Sequence, residues 1–247
     1  MANAINLNNT TPAAPAGGKN VIWQNDGLTP PNVSAYVPGM IFNVDTPPAS
    51  PSAYDDEFNS TTLNAKWTQT TSALSSYSIG TQVPGCIYCN MTVPGYYNIS
   101  QPFPVSSGVA TDVTVKCYIR PYANYQFIYL KLTDNLTPSN GIGTAISYVN
   151  AVVWDWSWWS GGSNNQNFPA VPYSGGTWYL HLQKTAANVW SAYGSDDGIS
   201  WIVLSSNINS GYNPTINYLT LTMEQDSTSS RIQMAVDWVR CNWLVIP

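Results

Sequence analysis

Trp190-Ser191-Ala192-Tyr193-Gly194-Ser195-Asp196-Asp197-Gly198-Ile199-Ser200-Trp201, followed by Ile202-Val203-Leu204, is the stretch that decides the fold. Val189, Ser191 and Tyr193 alternate with Trp190 and Ala192, the period-2 pattern of a half-buried strand. Asp196-Asp197-Gly198 supplies a turn, because a tight hairpin turn needs positive φ, which Gly adopts without steric cost and Asp adopts more readily than most residues. Ile199 to Leu204 then returns as a second strand. The stretch predicts a β-hairpin.

Working outward, strand follows strand. Tyr77 to Ile79, Cys86 to Thr92, Tyr96 to Ile99, Thr111 to Arg120, Gln126 to Thr133, Ile142 to Trp156, Thr177 to Lys184, Ile216 to Glu224 and Ile232 to Trp243 are each rich in branched or aromatic residues. Pro, Gly and Asn-rich breaks separate them, and no stretch carries a helical period with caps. An antiparallel all-β sandwich is expected.

Three motifs give that sandwich a family likeness. The Ser-x-Asp-Gly-x-x-Trp turn ending at Trp201 resembles a hairpin of concanavalin A-like (laminin G-like) jelly rolls. Asp55-Asp56-Glu57-Phe58-Asn59 through Leu63 to Trp67 resembles the opening of such domains, and Val236-Asp237-Trp238-Val239-Arg240 resembles their closing strand. The resemblance implies a jelly-roll sandwich over residues 51–247. Residues 1–50 read differently: Thr10-Thr11-Pro12-Ala13-Ala14-Pro15-Ala16-Gly17-Gly18 is linker-like, Thr29-Pro30-Pro31 and Thr46-Pro47-Pro48 are further breaks, and the apolar patches Val21-Ile22-Trp23 and Val33 to Val44 could each add a strand. This is an extended N-terminal arm, expected to pack on its own domain or on a neighbouring subunit. Its run from Asn6 to Gly18, leading into Val21-Ile22-Trp23-Gln24, resembles N-terminal segments of tailed-bacteriophage structural proteins. That resemblance implies docking to other virion proteins and location in a virion; a homo-oligomer is also expected, and because Met1 to Asn9 lacks the basic start and apolar run of a secretory signal, synthesis in a host cytoplasm without a signal peptide is expected.

Composition narrows the function. Eleven Trp and sixteen Tyr in 247 residues suffice for a large core, while only 9% of residues are charged, where soluble domains run at about a quarter. With eight Lys plus Arg against thirteen Asp plus Glu, nucleic acid is not an expected partner. No apolar run is long enough to enter a membrane as a helix. Cys86, Cys89, Cys117 and Cys241 lack the second close pair of a zinc site and read as small hydrophobes in strands.

The candidate site is Trp154-Asp155-Trp156-Ser157-Trp158-Trp159, leading into Ser160-Gly161-Gly162-Ser163-Asn164-Asn165-Gln166-Asn167. Alternation sets Trp154, Trp156 and Trp158 on one side and Asp155 and Ser157 on the other, and the strand is expected to end near Trp156 in a loop. One reading is an aromatic core or subunit contact. The other is a sugar platform, in which Trp156, Trp158 and Trp159 stack on a pyranose and Asp155, Asn164 and Asn165 bond its hydroxyls.

Cleavage needs an acid and a second carboxylate across the glycosidic bond. The only glutamates are Glu57 and Glu224, and Glu224-Gln225-Asp226 reads as a solvated turn. His181, the single histidine, has no nucleophile beside it in sequence, so no catalytic residue is expected. Asp55, Asp56, Asp196 and Asp197 are hard donors of the kind laminin G-like domains offer Ca²⁺, but they lack regular ligand spacing, and no cofactor is expected. The reading is therefore a non-enzymatic virion protein with a glycan-binding domain. A free-standing carbohydrate-binding module and a glycoside hydrolase with an atypical carboxylate pair are the alternatives.

Overall fold

The computed structural model describes residues 52–72, 75–80, 85–91, 93–120, 126–136, 140–148, 152–161, 163–167, 177–208, 211–225 and 232–242. Residues 1–50, expected as an extended arm with two apolar patches, lie outside them.

Fourteen antiparallel strands form two seven-stranded sheets. They are β1 Thr68–Thr71, β2 Ser75–Ile79, β3 Ile87–Met91, β4 Gly95–Val105, β5 Thr111–Arg120, β6 Gln126–Thr133, β7 Gly141–Tyr148, β8 Val152–Ser160, β9 Ser163–Asn167, β10 Thr177–Lys184, β11 Trp190–Ser195, β12 Ile202–Ser205, β13 Ile216–Gln225 and β14 Ile232–Cys241. One sheet has the order β1-β4-β13-β6-β7-β8-β9, the other β12-β11-β10-β5-β14-β3-β2. Alternate residues of each sheet meet between them: Ile128, Leu130 and Leu132 from β6 share one core with Val113, Val115 and Cys117 from β5 and with Leu180 and Leu182 from β10. Helices are absent from the described residues.

The central strands depart from half-burial. β11 is buried at every position and β10 at six of eight, so each faces packed atoms on both sides. On the face turned away from the core, Lys116 Nζ lies 3.2 Å from Asp237 Oδ2, and the Tyr118 hydroxyl donates to the same oxygen at 3.0 Å. Beside them Thr114 Oγ1 is 2.8 Å from His181 Nδ1, and the rings of Tyr193 and Trp201 lie 5.5 and 5.4 Å from the imidazole.

The two flanking motifs clamp each other. Asp56 bridges Val239 of the closing strand, Asp55 Oδ1 accepts from the Cys241 amide at 2.7 Å, and Glu57 Oε1 meets Arg240 at 2.5 Å. Asp56 also caps its own turn, accepting from the Phe58 amide and from the buried Trp67 indole. These acids tie the segment ahead of β1 to the last strand, β14.

Three segments differ from expectation. The run expected as one strand, Ile142 to Trp156, is two, β7 and β8, because the chain reverses between Tyr148 and Val152. The polar stretch expected as a loop is strand β9, paired to β8 through a turn in which Gly161 has φ +59°. Glu224 is not in a solvated turn but within β13, half-buried and opposite Phe127 and Tyr96.

Candidate functional site

The Ser195–Ser200 turn shows how local chemistry sets the hairpin. Gly198 takes φ +72° and sits against the Tyr179 ring, which a Cβ would approach at 3.0 Å. Asp197 works through its carboxylate rather than through positive φ: Oδ1 accepts from the amides of Ile199 and Ser200, each at 2.7 Å, while the Ser195 hydroxyl donates to it at 3.0 Å. The amide bonds from Ser200 and Ile199 hold the Asp197 pKa down at about 2. The turn delivers Trp201 onto His181. Asp197 is thereby committed to turn structure rather than to a ligand.

At the far edge of the other sheet, β8 and β9 bring the predicted residues into one hairpin. Trp158 pairs with Asn165 and Trp159 with Asn164, while Trp156 pairs with Asn167. On the other side of β8, Asp155 lies opposite Ala145 and Trp159 opposite Gly141. Asp155, Trp159, Asn164 and Asn165 are placed by this backbone register. Trp156 and Trp158 are half-buried and pack on the core from the sheet edge, and the Trp158 ring lies 5.5 Å from Tyr212. Tyr212 in turn accepts a hydrogen bond from the Gly141 amide at 3.2 Å. β9 closes the sheet with Ser-Asn-Asn-Gln-Asn and pairs with no further strand among the described residues.

Sequence reasoning missed Tyr212 and the loop that carries it. Asn213 and Thr215, which follow Tyr212, line an open cavity of about 180 Å³ at the end of the sandwich, together with Ser107, Lys184 and Trp190. Lys184 shares its strand parity with Leu180 and Leu182, two core residues. A lysine at the third core-facing position was the available signal.

The remaining titratable groups are structural. The four cysteines are free and buried, and burial raises their thiol pKa values, that of Cys89 to about 12. Cys89 packs in the core whereas Cys86 borders Asp237 and Lys116, so the pair does not converge on one ion. Among the described residues no group of three or more His, Cys, Asp or Glu is placed to hold a metal. His181 is buried, and desolvation lowers its pKa to about 4, opposed by the contact with Gln183. Glu57 belongs with β14 of one sheet and Glu224 with β13 of the other.

No protein-family model and no curated protein matches the sequence. Solved structures do match in shape. The CBM2 module of the evolved Dit of Lactobacillus casei BL23 phage J-1 is 12% identical, with 78% of this chain and 96% of the module covered at a TM-score of 0.56. The fold is a jelly-roll β-sandwich. The VIP36 exoplasmic/lumenal domain, in a Ca²⁺- and Man2-bound form, is 11% identical, with 78% and 88% covered at a TM-score of 0.56. The GH43 BlXynB protein of Bacillus licheniformis is 12% identical at a TM-score of 0.59, with 77% of this chain covered. The match spans only 39% of that protein's length.

Proposed function

We propose that the chain is a non-enzymatic glycan-binding protein of a tailed-phage particle, with residues 51–247 as the lectin-like domain and residues 1–50 as the arm that docks to other virion proteins. The observation that carries the binding role is the β8–β9 edge, where Trp159 pairs in register with Asn164 on the face opposite to the core-packed Trp156 and Trp158. Indoles offer an apolar face to a sugar ring and carboxamides offer both a donor and an acceptor to its hydroxyls. β8 and β9 are the two outermost strands at that end of their sheet. Fold kinship with a phage Dit CBM2 module and with a Man2-bound lectin domain supports the same reading. Against cleavage stands the placement of the glutamates, Glu57 ion-paired to Arg240 of β14 and Glu224 in β13 of the opposite sheet, where a hydrolase needs two carboxyls facing each other across the bond.

The test is a glycan array with the purified full chain, followed by product analysis of each bound glycan. Binding without cleavage is expected. Turnover of a bound glycan that disappears in Glu224→Gln would overturn the non-enzymatic reading. Deleting residues 1–50 should leave glycan binding intact and abolish assembly onto the particle. Loss of the cooperative melt on that deletion would make the arm part of the core instead.

A further inference from the structure

Among the described residues of a chain with only eight Lys and Arg, three buried or nearly buried cations stand out. Two have a carboxylate: Lys116 is 3.2 Å from Asp237 and Arg240 is 2.5 Å from Glu57. Lys184 is the exception. It is 2% exposed, and its Nζ donates to the Ser106 carbonyl at 2.7 Å and to Asn188 Oδ1 at 3.2 Å, both neutral oxygens. No carboxylate lies within ion-pairing distance of it among the described residues. Desolvation accordingly pulls its pKa down, with no acid to pull it back.

A buried charge is ordinarily paired, and a lysine ammonium has three protons to donate, of which two are used here. Lys184 lines the 180 Å³ end cavity, and so does Trp190, whose indole N–H is buried without a hydrogen-bond partner. The ammonium lies 5.9 Å from the Trp190 ring centre. The cavity wall thus holds one cation, and its rim adds the hydroxyls of Ser107 and Thr215 and the amide of Asn213. At this volume it falls below the roughly 300 Å³ at which sites for drug-sized ligands begin, so it takes one small unit rather than a length of chain.

We infer that the end cavity is a subsite for the anionic group of an acidic sugar unit, its carboxylate or phosphate seated against Lys184 and its hydroxyls met by Ser107, Asn213 and Thr215. A charge-assisted bond to the ammonium supplies the counter-charge that the protein omits. The inference rests on the glycan-binding reading and extends it, because one loop joins the two places: Tyr212 touches Trp158 of the β8–β9 edge, and Asn213 beside it lines the cavity. A glycan crossing Tyr212 would present its acidic unit to Lys184. The anion could be a uronic acid carboxylate or the phosphate of a polyol-phosphate polymer, and the two are separated by experiment.

Isothermal titration calorimetry on the full chain at low salt would compare glucuronate, inorganic phosphate and glucose as free probes, then a neutral and a glucuronate-bearing oligosaccharide. Glucuronate or phosphate is expected to bind while glucose does not, and the one that binds more tightly identifies the source. Lys184→Met should weaken anion binding at least tenfold. Should Lys184→Met fail to fold, Asn213→Leu, on the exposed rim, is expected to weaken glucuronate-oligosaccharide binding with an unchanged melt. Glucose binding as tightly as glucuronate, no anion binding at all, or full anion affinity in Lys184→Met would each overturn the subsite. Neutral oligosaccharide binding without anion binding removes the subsite and leaves the glycan reading standing. Anion binding without any oligosaccharide binding keeps the anion specificity and removes the glycan reading.

Discussion

Removing the Asp237 carboxylate should destabilise the sandwich strongly, although Asp237 lies away from the core. Lys116 is 0% exposed, and Asp237 Oδ2 is both its ion partner at 3.2 Å and the acceptor of the Tyr118 hydroxyl at 3.0 Å. Asp237→Ala removes the contact that this carboxylate makes with a fully buried ammonium and a buried phenol. Breaking one side of a buried ion pair costs about 3–5 kcal/mol, chiefly through the uncompensated charge. A domain of this size loses about 2–4 °C of Tm per kcal/mol, so a fall of roughly 6–20 °C is expected. Lys116→Met combined with Asp237→Leu removes both charges and should recover much of the loss, since apolar residues often replace a buried pair without penalty. Tyr118→Phe alone should cost about 1.5–3 kcal/mol, the range for a bond to a charged group. Thermal and urea melts of these variants, with Lys116→Met and Asp237→Leu alone as the singles of the double, measure all of this. If Asp237→Ala costs under about 1 kcal/mol, or the double variant is as unstable as the sum of its singles, the network is not coupled and the reasoning is wrong.

Two pH effects and one chemical test follow from the same structure. His181 has its pKa lowered to about 4 from 6.5, so between those values the unfolded state binds the proton the folded state refuses. Stability should therefore decline by up to about 3 kcal/mol as pH falls from 6.5 to 4 and then level, and His181→Gln should remove that slope in pH-dependent melts. Asp197, held near a pKa of 2 by the Ser200 and Ile199 amides, contributes stability above pH 3.8 that is lost as pH falls through 2. That exposed contribution stays under about 1 kcal/mol after screening, and Asp197→Ala should flatten the acid limb; an unchanged limb would mean the turn does not depend on the carboxylate. With all four thiols buried and their pKa values raised, a thiol reagent should label none of them in the native state and all four in denaturant.

Strands with clean alternation were legible to the residue. Thr111–Arg120, Gln126–Thr133 and Thr177–Lys184 are bounded as the pattern predicts, because Pro, Gly or Asn flanks each and one face of each joins the core. β4 runs past its expected end at Ile99 to Val105. Its Pro102 and Pro104 lie beyond the last β1 pairing at Ser100, where proline does least harm to a ladder. β1 and β9 were not legible, since Thr-Gln-Thr-Thr and Ser-Asn-Asn-Gln-Asn carry no apolar period and owe their strand state to the neighbour they pair with. The aromatic part of the candidate site could be read from Trp156, Trp158 and Trp159. Its junction with Tyr212 and with Lys184 could not, because those contacts join segments that are distant in sequence.

The central claim is that the β8–β9 edge binds glycan, and the most direct measurement pairs a thermal melt with glycan binding for Trp159→Ala. Loss of binding with a melt within a few degrees of wild type is the predicted result. Truncating a buried core Trp costs about 3–5 kcal/mol, so a melt lowered by 10 °C or so would place Trp159 in the core instead. Unchanged melt with unchanged binding would contradict the account as firmly, because the edge would then contribute nothing to recognition.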